Sequence, residues 1–143
     1  MKELRFDTGL VSYKVNDSCE ITFNPGDINF TKHLFDLFDT LSARQEVFDK
    51  DDPDAMDGKE LFRLTEERDA QMREDVDGLF GEGTSKALFG KMSIFALAGG
   101  FPLWANLLMA IIDEIDENLV REEQKGRERV DKYMRKYKAY KRK

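Results

Sequence analysis

The chain has 143 residues, of which 41% are hydrophobic and 36% charged, which suits one domain with one core rich in its 11 Phe and 6 Met. A single cysteine, Cys19, and a single histidine, His33, exclude an intramolecular disulfide, a Cys/His zinc site and a Cys–His nucleophilic pair. The net charge of −6 conceals a split: residues 121–143 hold 11 Lys/Arg against 4 Asp/Glu, or +7, while the other 120 residues hold 12 against 25, or −13.

The first residues, MKELRFDTGL, lack the apolar core of a signal peptide, so a reducing, cytoplasmic setting is expected. Residues 3–23 read as strands. LRFD, LVSYKV and CEITF are short runs of β-branched and aromatic residues, with turn signals at Thr8-Gly9 and Asn16-Asp17 between them. Three short strands, or a hairpin plus one, would need helices to lean on. Pro25 ends this region, and Asp27 or Asn29 is placed to cap a helix. That helix is predicted over about residues 28–48, because Phe30, Leu34, Leu37, Phe38 and Leu41 form one apolar stripe.

The acidic, Pro53-containing stretch DKDDPDAMD reads as a loop. A second amphipathic helix follows over about residues 59–80, with Leu61, Leu64, Arg68, Met72, Val76 and Leu79 in near-heptad spacing. Glu66, Glu67, Asp69, Arg73, Glu74 and Asp75 read as its wet face. Gly81 and Gly83 stop it. Thr84 or Ser85 would cap a short helix ending at Gly90.

Met92–Ile112 carries no charge in 21 residues, enough by length for a membrane span. Gly99-Gly100 and Pro102 break it, however, so the expectation is two buried helices: a short one over residues 93–98 and a long one from Pro102. The long helix looks apolar all round at first, implying central burial. It then keeps a stripe of Trp104, Leu108, Ile111 (or Ile112), Ile115 and Leu119, and becomes polar after Val120, with Gly126 as a point of fraying. The end, KYMRKYKAYKRK, has seven cations and no acid. If it is helical, Tyr133, Tyr137 and Tyr140 share a face. It could meet an acidic protein surface, including the body of a second copy, or nucleic acid, or act only as a solubilising end; the acidic body disfavours nucleic acid.

No motif carries catalysis. The carboxylates Asp113, Glu114, Asp116 and Glu117 lack the His partners of a helical metal site. His33 has no nucleophile motivated beside it, and Gly81-x-Gly83 lacks the rest of a phosphate loop. The expected fold is mainly α with a small N-terminal antiparallel β element, an α+β domain of four to five helices over residues 1–120. A basic extension, helical or disordered, follows over 121–143.

Three stretches carry a resemblance: FNPGDINFTKHLFDLF (23–38), RDAQMREDVDGLFG (68–81) and ALAGGFPLWANLLMAIIDEID (96–116). In order and character they resemble small prophage-encoded proteins similar to the tail assembly chaperones of long-tailed bacteriophages, over most of residues 20–120. The resemblance implies a protein of the host cell cytoplasm, without enzyme activity or cofactor. It would coat the tape-measure protein, keep its apolar helices soluble and recruit tail-tube subunits. Such chaperones often occur in short and frameshift-extended forms and are absent from the finished particle. The different-class alternatives are a phage-encoded regulator or inhibitor of a host protein and an enzyme with carboxylate chemistry. For a chaperone, the candidate protein-binding residues are Phe35, Phe62, Phe80, Phe89, Phe95, Phe101 and Trp104 on the body, and Tyr133, Tyr137, Tyr140, Lys136 and Lys138 on the tail. Protein partners and a homo-oligomer are expected, with no metal and no membrane.

Overall fold

A computed structural model describes the backbone of residues 1–141 and the side chains of residues 1–139. The fold is the expected α+β type: a small N-terminal antiparallel sheet and four helices. Strand β1 (Val11–Val15) pairs with β2 (Cys19–Phe23), placing Tyr13 opposite Ile21 and Val15 opposite Cys19 on the inner face. Asn16 and Asp17, with φ of 49° and 57°, make the turn, and Ser18 N–H closes it onto the Val15 carbonyl. Both residue types tolerate the left-handed region that this tight hairpin turn demands.

The strand expected at LRFD does not form. Residues 1–10 pair with nothing in a ladder. The Asn24 side-chain amide donates to the Thr8 carbonyl, and Gly9 turns there with φ +71°. A Cβ at Gly9 would lie 2.8 Å from Asn24 Nδ2, so only glycine fits this turn away from the hairpin.

Helix α1 (Ile28–Lys50) starts where the Asp27 carboxylate accepts from Asn29 N–H. It buries Leu34, Leu37 and Leu41. A single 3-10 turn (Pro53–Ala55) interrupts the acidic connection before α2 (Gly58–Phe80), which buries Met72 and Val76. Helices α1 and α2 are clamped by ion pairs between Arg44 and Asp75 and between Arg68 and Asp51. The supposed wet face of α2 is therefore partly interior. Asp69, Arg73 and Asp75 are drawn in because they hold neighbouring segments.

Helix α3 (Thr84–Phe89) follows. Neither Thr84 nor Ser85 caps it. The Asp77 carboxylate of α2 accepts from Ser85 N–H instead, tying the short helix to its predecessor. No helix forms over residues 93–98. That segment turns and enters a two-residue ribbon, β3 (Leu97–Ala98) and β4 (Phe101–Pro102), joined by Gly99 and Gly100 with φ of 62° and 87°. Consecutive positive φ angles suit a tight hairpin and end a helix.

Helix α4 (Leu103–Lys141) completes the chain, one residue after Pro102. It buries Trp104, Ala105, Leu108 and Ile111. It runs antiparallel to α1: Trp104 Nε1–H donates to Gln45 Oε1 at 3.1 Å near the end of α1, and Asn118 lies against Gly26 just before its start. Among the described residues, Asn118 is the last buried one of α4. Leu119, expected in the buried stripe, is exposed because the body ends at Gly26. Gly126 does not end the helix. Ion pairs of Glu122 with Lys125 and of Glu123 with Arg127 bracket it at helical spacing. Among the described residues, no helix is long and apolar enough to cross a membrane.

Candidate protein-binding surfaces

The inner face of the β1–β2 hairpin leans on α4 through Tyr13, whose hydroxyl donates to Glu114 Oε1 at 3.0 Å. Arg121 donates to the same carboxylate oxygen at 2.7 Å. Partial burial, then the Glu114 bond and charge, push the Tyr13 hydroxyl up to about 12. The hairpin tip stops short of covering α4. An apolar groove passes on both sides of Val15 and Asn16. Its floor is Leu103, Leu107 and Ala110, one stripe of α4 at i, i+4 and i+7. Its wall is Leu88, Phe89 and Met92. The larger part encloses a cavity of about 320 Å³ and the part against Tyr13 about 260 Å³.

What holds that wall in place is polar. Asp69 of α2 accepts from Ile94 N–H at 2.6 Å with one oxygen and from Arg73 Nε at 2.8 Å with the other. Arg73 then donates to the Met92 carbonyl at 2.5 Å and sets its guanidinium over the Phe89 ring. The segment between Gly90 and the ribbon is thus fixed from α2, and Met92 stands at the groove with 60% of its surface exposed. Charge-assisted bonds of this kind are stronger than neutral ones.

The second surface is the outer part of α4. From Leu119 to Ala139 every side chain is exposed. Val130, Tyr133, Met134 and Tyr137 nonetheless gather on one side, each about half-exposed, next to Gly126. Arg129 and Lys136 stand over the Tyr133 ring at 5.7 and 5.5 Å. The Arg129 hydrogen bond, followed by the Arg129 and Lys136 charges, holds the Tyr133 hydroxyl below its ordinary value.

The candidate residues separate accordingly. Phe89 and Trp104 lie in the core and Phe80 packs partly against it, so large apolar groups read as contact residues are used for folding. Phe95 stacks on Phe48 at 4.7 Å. Phe35, Phe62 and Phe101 are exposed, at 48%, 71% and 50%, but they do not converge on the groove. Tyr133, Tyr137, Lys136 and Lys138 share the outer helix, exposed as expected of a tail. The Tyr140 side chain falls outside the described residues. The groove residues Val15, Leu88, Met92, Leu103, Leu107 and Ala110 were not among the candidates. The apolar run from 103 to 112 was their one signal, and it reads as central burial until the hairpin is seen to leave one side open.

Other clusters are taken up by structure. Glu114 serves Tyr13 and Arg121, while Asp113, Asp116 and Glu117 are exposed. Among the described residues no three His, Cys, Asp or Glu side chains come together as a metal site would require. His33 is exposed on α1. The chain matches no protein-family model, no curated protein and no solved structure.

Proposed function

We propose that this protein is a non-enzymatic assembly chaperone of the phage tail type, acting in the host cell cytoplasm by holding an amphipathic helix of a partner. The open groove between the hairpin tip, α3 and α4 carries the reading. Its floor is an aliphatic stripe, and Met92 on its wall is unbranched and adaptable. Docking an amphipathic helix into an apolar groove is a standard mode of peptide recognition, with anchors at i, i+3, i+4 and i+7. A charged exterior, 36% of the chain, would keep such a complex soluble. The resemblance names the client as the tape-measure protein, with tail-tube subunits as further partners.

The test is co-expression with a helical tape-measure fragment followed by affinity capture and titration. Ala110→Glu places a charge on the groove floor at an exposed position, so folding is preserved. It is expected to weaken capture by about tenfold or more, since burying an unpaired carboxylate costs more than the 1.4 kcal/mol of one decade. No complex with the unmodified chain at micromolar concentration, or unchanged capture by Ala110→Glu, would sink the reading. A host protein captured in place of the fragment would favour the regulator reading.

A further inference from the structure

The molecule is electrically bipolar along α1. Because α4 runs antiparallel to α1, it leaves the body at Gly26, where α1 begins. The helical residues 121–141, with 9 Lys/Arg against 4 Asp/Glu, or +5, are therefore carried away from that end. The opposite end, where α1 passes into α2, is acidic: residues 49–67 hold 8 Asp/Glu against 3 Lys/Arg. Both ends carry uncovered apolar surface, Tyr133, Met134 and Tyr137 on the arm and Phe62 among the acids. Helix α1, with its 23 residues, separates the two ends by about 34 Å at 1.5 Å per residue. A straight helix projecting from one end cannot fold back to the other.

From this polarity we infer that the arm of one copy docks on the acidic α1–α2 end of a second copy, head to tail. The apolar face of the arm covers Phe62, and Lys132, Arg135, Lys136 and Lys138 meet Asp54, Glu60 and Glu66, all exposed. Parallel pairing of two arms is the poorer choice, since it would set these same cations against one another. The contact is heterologous: two different patches, one on each copy. It therefore closes into a ring or runs on as a filament, and it leaves the groove unused. Self-association through the arm and client capture in the groove can fail independently.

Light scattering of the full chain tests this without any client. At about 50 mM salt the mass should exceed the monomer's 16.6 kDa and grow with concentration, and at about 500 mM salt it should fall back, because screening shortens the reach of exposed charges. Two charge-reversed chains locate the contact. One carries Lys132→Glu, Arg135→Glu, Lys136→Glu and Lys138→Glu; the other carries Asp54→Lys, Glu60→Lys and Glu66→Lys. Each should be monomeric alone with unchanged circular dichroism, and an equimolar mixture should associate, because the acidic arm of the first fits the basic end of the second. A full chain monomeric at low salt, an assembly indifferent to either reversal, or a mixture that stays monomeric would each overturn the inference. A monomeric chain whose arm instead binds a single-stranded oligonucleotide, and loses it on reversal, would assign the arm to nucleic acid.

Discussion

The two halves of α4 are one continuous helix held up in two different ways. Residues 103–118 bury Trp104, Ala105, Leu108, Ile111 and Asn118 against the rest of the fold. Residues 119–139 are exposed throughout, with Glu122 and Arg129 near Asp7, Thr8 and Gly9, and intrahelical pairs such as Glu117 with Arg121 and Glu123 with Arg127 run along them. A helix can thus be tertiary in one half and local in the other. The inner half creates the groove and the outer half carries charge away from it. Substitutions should respond to this difference in sign as well as in size.

The largest effect belongs to the core. Leu108 is fully buried, so Leu108→Ala should lower unfolding free energy by about 3 kcal/mol in urea titrations, through lost transfer energy and the cavity left behind. Val130→Ala on the arm should stay within about 0.5 kcal/mol. Equal losses would mean that the arm is packed on something and would end the comparison. Next comes Asp69→Ala, which strips Ile94 N–H and Arg73 of their shared acceptor. A loss of about 2 kcal/mol is expected from those unsatisfied donors. Client capture should weaken with it, because Met92 loses its tether.

One substitution made at two glycines sharpens the contrast. Gly100→Ala forces a side chain into φ +87° in the ribbon and should cost about 1 kcal/mol. Gly126→Ala meets open space on the arm and should instead raise the helical signal in circular dichroism, by up to about 1 kcal/mol of helix propensity. A loss at both positions would show that the arm is not a free helix.

The smallest effect at neutral pH is the separation of the tyrosines. Tyr13 is raised to about 12, so the neutral hydroxyl is the stabilised form. Its contribution is complete below pH 10 and lost as pH rises toward 12. Tyr133, held low by its hydrogen bond with Arg129, should ionise before Tyr13. Ultraviolet difference titration reads the order of these two, and Tyr13→Phe should remove the step near 12. Were Tyr13 to titrate with Tyr133, the hairpin would not hold Tyr13 buried against Glu114 in solution.

Local chemistry settled much of this protein from its sequence. The Asp27 cap, the Asn16-Asp17 turn, the stripe on α1, the stop at Gly81 and the acidic body with its basic end all follow from neighbours within a few residues, where side-chain period and backbone preference decide. Contacts at long range decided the rest. LRFD carries strand residues, but Asn24 and Gly9 turn it from the hairpin. Residues 93–98 look like a buried helix until Asp69 and Arg73, some 25 residues earlier for the Asp69–Ile94 bond, fix their backbone otherwise. The stripe Leu103, Leu107 and Ala110 is as apolar as its buried neighbours, and only the length of the hairpin leaves it open. Burial depends on which elements meet, and a one-dimensional pattern gives the period of an apolar face without naming what covers it.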